Sequence, residues 1–129
     1  MVDPRTTTDK TGNMAVRRVV PVMTVVDIGA ARLRYMDVLG MEVVMDHGWI
    51  ITLATPGNIQ VQLSLMTTDA TAPSNPDLSV EVDDVDEAYR AAADAGLEII
   101  HPLTDEEWGV RRFFFRDGSG NVVNVLSHA

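Results

Sequence analysis

An internal repeat constrains this chain more than any other feature. Val25-Val26-Asp27 precedes a helical-looking stretch from Ile28 to Val38, followed by Leu39-Gly40-Met41-Glu42-Val43-Val44. Val82-Asp83-Asp84 precedes a second such stretch from Val85 to Ala95, followed by Gly96-Leu97-Glu98-Ile99-Ile100. Asp27 and Asp84 lie 57 residues apart and Gly40 and Gly96 lie 56 apart, so the halves keep register to within one residue. Each half continues with a tryptophan (Trp49, Trp108), an apolar stretch, a Gly-Asn turn (Gly57-Asn58, Gly120-Asn121) and an alternating strand. Such self-similarity marks two copies of one supersecondary unit. A length of 129 residues holds both within one compact domain.

Each half reads as strand, helix, then three strands. Asp27 and Asp84 stand where an N-cap acceptor is wanted, and Gly40 and Gly96 follow the helix ends, where a left-handed residue is cheapest as glycine. Strands are expected at 18–26, 42–46, 49–54, 59–65, 98–101, 111–116 and 121–126, with another ahead of Asp84. Thr67–Pro76, rich in Pro, Ser and Asn, reads as a linker. The organisation is then a flexible tail at 1–17, a first βαβββ module at 18–66, a linker at 67–76 and a second module at 77–129. The fold class is α+β, with curved mixed sheets enclosing a cleft.

Period-two alternation sorts the faces. Ile59, Val61, Leu63 and Leu65 oppose Gln60, Gln62 and Ser64. Leu78, Val80 and Val82 oppose Asp77, Ser79 and Glu81; Val123 and Val125 oppose Asn124, Leu126 and His128. The apolar set packs under a helix, and the semi-polar set suits a ligand cleft.

Composition removes whole classes of function. A formal charge of −9 argues against phosphate backbones and anionic lipid surfaces. Zero cysteines exclude disulfides, thiolate nucleophiles and Cys-based zinc or iron–sulfur centres. No apolar run is long enough to span a bilayer, and the N-terminal stretch lacks a secretory hydrophobic segment, so the cytoplasm is the expected location.

Three segments carry a resemblance. Val26-Asp27 leading to Tyr35-Met36-Asp37-Val38-Leu39-Gly40-Met41, the run from Val80 to Tyr89, and the run from Arg112 to Val123 resemble the vicinal oxygen chelate superfamily. That group holds glyoxalase I, bleomycin-resistance proteins and extradiol dioxygenases. The resemblance implies paired βαβββ modules and usually a homodimer. In its metal-dependent members, four His, Glu or Gln ligands come from the first and last strands of the modules. Carried over, those positions fall on Val20, Gln62 (or Gln60), Asp77 and Asn124. Valine cannot ligate, and amide carbonyls are weak donors beside imidazole or carboxylate. No cofactor is therefore expected, and catalysis is doubtful. The alternative is a lyase or dioxygenase-type enzyme with a non-standard metal site, for which Glu81 and His128 are the candidates.

A metal-free cleft would sequester a small molecule, such as an antibiotic or another aromatic or cationic ligand. Its expected binding residues are Trp49, Trp108, Gln60, Gln62, Ser79, Glu81, Phe113, Phe115 and Asn124, with Met45 and Met66 as adaptable walls. His47 and His101 read as exposed strand-end or turn residues, His128 as a fraying terminus, and Asp105-Glu106-Glu107 as a solvated loop.

Overall fold

A computed structural model describes residues 14–128 of the chain. Of the expected tail, residues 1–13 lie outside this range, and the first strand begins at Val16, two residues early. The elements follow the repeat: β1 (Val16–Thr24), α1 (Ile28–Leu39), β2 (Glu42–Asp46), β3 (Ile50–Thr55) and β4 (Asn58–Met66), then β5 (Leu78–Val82), α2 (Val85–Asp94), β6 (Glu98–Asp105), β7 (Val110–Arg116) and β8 (Val122–His128).

Both helices start as their sequences require. Asp27 accepts a hydrogen bond from Ala30 N at 3.1 Å, and Asp84 accepts one from Glu87 N at 3.0 Å. These side chains satisfy backbone donors that the first helical turn leaves free. Gly40 ends α1 at φ +68°, and its N–H donates to Met36 O, a conformation that penalises any residue with a Cβ.

The two modules do not form separate sheets. β1 pairs antiparallel with β5, fusing all strands into one open mixed sheet in the order β2-β3-β4-β1-β5-β8-β7-β6. Within each module the first strand pairs parallel with the last, β1 with β4 and β5 with β8. β6 continues past Pro102 to Asp105 because register shifts around His101 and Thr104 spare the ladder the missing proline N–H.

Each helix packs on its own apolar cluster on one face of the sheet. Under α2 lie Val82, Phe113, Val123 and Val125; under α1 lie Ile51, Leu53 and Leu65. The opposite, concave face carries no helix. Among the described residues, no helix is long and apolar enough to cross a membrane.

Candidate ligand-binding cavity

The concave face holds a cavity of about 360 Å³ whose floor is a row of side chains running across the middle of the sheet. Val20 is the register partner of Ser79, and Ser79 is the partner of Asn124. On the other side of Val20, the parallel β1–β4 pairing of Val22 with Ser64 brings in Gln62 two residues back along both strands. The row therefore reads Gln62, Val20, Ser79, Asn124, with one residue from the first and last strand of each module.

At one end of the cavity Trp49 and Trp108 meet edge to face, their ring centroids 5.9 Å apart. Such a contact favours the positive edge of one ring over the negative face of the other. The guanidinium of Arg112 sits 5.1 Å from the Trp108 ring centre and 4.8 Å from that of Phe114. Its charge is answered from behind the cavity wall. Arg112 pairs with Asp69 at 2.8 Å and with Glu106 at 2.6 Å, and all three side chains are almost wholly buried. Burial raises the Asp69 carboxyl, but hydrogen bonds from Arg112 and Thr71 outweigh it and hold the group below its ordinary 3.8. His101 Nε2 lies 3.6 Å from Glu106 Oε2.

At the other end Glu81 is shared. Arg18 Nη2 stands 3.3 Å from Glu81 Oε1, and His128 Nδ1 contacts Glu81 Oε2. Arg18 Nη1 also donates to Gln62 Oε1 at 3.5 Å.

These donors do not fit a chelated metal ion. The central row offers one hydroxyl, two amides and a valine, and no imidazole or carboxylate. Glu81 and His128 are two strong donors without a third, and no group of three or more His, Asp or Glu side chains among the described residues is arranged to hold an ion.

Six of the expected binding residues converge on the cavity: Trp49, Trp108, Gln62, Ser79, Glu81 and Asn124. Met45 and Met66 line it as well. Gln60 does not. The β3–β4 register shifts between Ala54 and Thr55, which turns β4 over, so that Ile59 continues the cavity face and Gln60 is exposed. Phe113 and Phe115 do not line it either. They pack under α2, and alternation along β7 presents Val110 and Arg112 to the cavity instead. Asp77 also lies off the row, because its carboxylate accepts from Val122 N at 2.9 Å and closes the start of β8. The β5 residue that occupies the central row is Ser79.

Two other expectations are corrected. His101 is buried rather than exposed, with its ring 5.2 Å from that of Phe114. Glu106 is not a solvated loop residue but half of the Arg112 clamp. The linker at 67–76 is stitched down by the same network: Thr71 donates to Asp69, and Asn75 Nδ2 donates to Thr24 Oγ1 and Thr67 O. The signal for this cluster was Arg112 itself, an arginine on the inward alternation of an apolar strand. Such a residue needs counter-ions.

This arrangement of repeated modules and central row defines the class. The chain belongs to the Glyoxalase/Bleomycin resistance protein/Dioxygenase superfamily, whose family model matches residues 17–125. Solved structures that share the fold include the following three. A Legionella pneumophila chain described as an NAD-dependent benzaldehyde dehydrogenase is 16% identical, with a TM-score of 0.70 over 86% of this chain and 99% of that one. A superfamily member from Vibrio splendidus 12B01 is 20% identical, with a TM-score of 0.67 over 88% and 99%. Methylmalonyl-CoA epimerase from Mycobacterium tuberculosis is 20% identical, with a TM-score of 0.65 over 95% and 94%. No curated protein matches the sequence significantly.

Proposed function

We propose that this chain is a metal-independent small-molecule-binding protein that sequesters an aromatic guest, an antibiotic being one such guest, in its concave cavity. The observation that carries the reading is the central row Gln62, Val20, Ser79 and Asn124. These side chains can contact a ligand but are too weak as donors to polarise one through a Lewis-acidic ion. Trp49 and Trp108 supply flat apolar surface at one end, and Met45 and Met66 supply adaptable walls.

An aromatic guest is better supported than a cationic one. Glu81 already faces Arg18 and His128, so a cation gains chiefly from the long-range field of the −9 chain. A homodimer accompanies the proposal: Val19 and Met23 on the outer face of β1 and Leu33 and Val38 on α1 are exposed apolar groups that a second copy would cover. The cytoplasm is the proposed location, since a chain without cysteine draws nothing from an oxidising compartment.

The test is a thermal-shift and tryptophan-quenching panel of aromatic antibiotics and dyes, run beside elemental analysis of natively purified protein. A ligand that raises the melting temperature and quenches tryptophan emission is expected. A stoichiometric divalent ion, or a panel without any response, overturns the reading.

A further inference from the structure

Resting on the reading of the cavity as a binding site, the inference concerns the polar group that meets its guest. Among the described residues, two arginines line the cavity, and their commitments differ. Arg112 is fully engaged: it donates to Glu106 at 2.7 Å, to Asp69 at 2.8 Å and to Thr71 at 2.8 Å, and its side chain is 4% exposed. Arg18 is held more loosely. Its Nη2 stands 3.3 Å from Glu81 Oε1, its Nη1 donates to Gln62 Oε1 at 3.5 Å, and its side chain is 36% exposed. Glu81 is also divided, since its second oxygen contacts His128 Nδ1.

Strand order places this head over the concave face. Arg18 on β1 is the register partner of Glu81 on β5, and Gln62 comes from β4 on the other side of β1. Reaching both neighbours lays the guanidinium across its own strand, within the cavity lining. A guanidinium carries five N–H donors, and these two contacts leave others without a partner among the described residues. Charged donors make stronger hydrogen bonds than neutral ones, so an acceptor on the guest gains most here.

The surrounding charge selects the kind of acceptor. A guest carboxylate would stand beside Glu81 in a chain of formal charge −9, and a guest cation would stand beside Arg18. A neutral carbonyl oxygen meets neither repulsion. Val20 follows Arg18 by two residues on the same face of β1, about 7 Å along the strand, and it lines the cavity. A planar ring can therefore rest on Val20 while the oxygen it carries faces Arg18. We infer that Arg18 is a specificity-determining donor of the cavity and that the guest is an aryl carbonyl compound: a neutral aromatic ketone, aldehyde or quinone whose oxygen accepts from the Arg18 guanidinium. An aromatic of the same shape without the oxygen enters the cavity but forgoes that bond.

The test uses three probes in equilibrium dialysis: 2-acetylnaphthalene, 2-isopropenylnaphthalene, which has the same shape with a methylene in place of the oxygen, and 2-naphthoate. The wild-type protein is expected to bind the ketone about tenfold more tightly than the alkene, and more tightly than the naphthoate. Arg18→Met keeps the apolar stem and is expected to bring the ketone-to-alkene ratio to about one while the alkene still binds. Arg18→Lys, which restores a charged donor, is expected to recover part of the ratio. The wild-type comparison needs no variant, so misfolding of Arg18→Met does not blunt the test. A wild-type ratio of one with both probes bound, or a high ratio that survives in Arg18→Met, overturns the role of Arg18 and leaves the cavity's binding role standing. Naphthoate binding more tightly than the ketone overturns the neutral carbonyl. Failure of all three to bind overturns both readings.

Discussion

The two modules solve the same structural problem with different chemistry on the concave face. In the first module, β3 and β4 present Thr52 and Ser64, which satisfy each other, and Gln62, whose amide is satisfied at both ends. In the second, β7 and β8 present Arg112 and Asn124. Arg112 calls in Asp69 from the inter-module loop and Glu106 from the β6–β7 turn. Asn124 keeps a buried carbonyl without a partner among the described residues. One half uses a neutral cross-strand pair, Thr52 with Ser64, and a glutamine held by Arg18 and its own strand. The other depends on charge brought from elsewhere in the chain. Tandem duplication thus preserves backbone geometry while freeing one copy to specialise.

The largest effect expected from breaking this contrast is on stability. Arg112→Met leaves the Asp69 and Glu106 side chains, 0% and 7% exposed, without their counter-ion. Removing one partner of a buried ion pair costs about 3–5 kcal/mol. Thr52→Val at the matching strand of the first module removes one neutral hydrogen bond and costs about 1 kcal/mol. Urea denaturation of both variants measures the difference, and equal losses would remove the distinction between the modules.

The acid response follows from the same cluster. Asp69 is held below its ordinary 3.8, so the folded state binds its proton less readily than the unfolded chain does. Its contribution is fully present above about pH 5 and drains away as pH falls through 3.8 and on to the lower folded value. Asp69→Asn should flatten this part of the stability-against-pH curve, although the half-buried Asp86 and the exposed Asp117, also lowered by the hydrogen bonds they accept from Arg111 and Asn121, retain some slope. A curve of unchanged shape in Asp69→Asn would assign the acid limb to those surface groups.

Ligand binding gives the next contrast. Trp49→Ala and Trp108→Ala should each weaken a flat aromatic dye such as proflavine about tenfold, since each removes one stacking surface. The chain has two tryptophans, so each variant leaves one reporter for a fluorescence titration. Loss in one variant alone would place the guest against a single module.

The smallest expected effect is where the modules agree. Asp27→Ala and Asp84→Ala each delete one N-cap acceptor and should cost about 1 kcal/mol apiece. Thermal melts of the pair check it, and strongly unequal losses would show that capping, too, has diverged.

Much of the fold is legible in the sequence. The Asp27/Asp84 and Gly40/Gly96 pairs located both helices to within a residue or two, because capping is decided by side chains next to the backbone groups they serve. Alternation correctly brought Gln62, Ser79, Glu81 and Asn124 to one face. It failed for Gln60, where a register shift reverses the strand, and for Asp77, whose carboxylate serves a neighbouring backbone N–H. Phe113 and Phe115, expected in the cleft, pack under α2 on the other face instead.

What the sequence alone determined here is what local physics controls: helix ends, strand periodicity, the duplication and the superfamily. Tertiary structure decided which polar groups are spent and which remain free. Asp69 and Arg112 are 43 residues apart, and Ser79 and Asn124 are 45 apart. Their partnerships arise from strand order, and one-dimensional spacing carries no record of them. A group's capacity to bind a ligand depends on whether the folded chain has already used its hydrogen bonds, and only the assembled sheet settles that account.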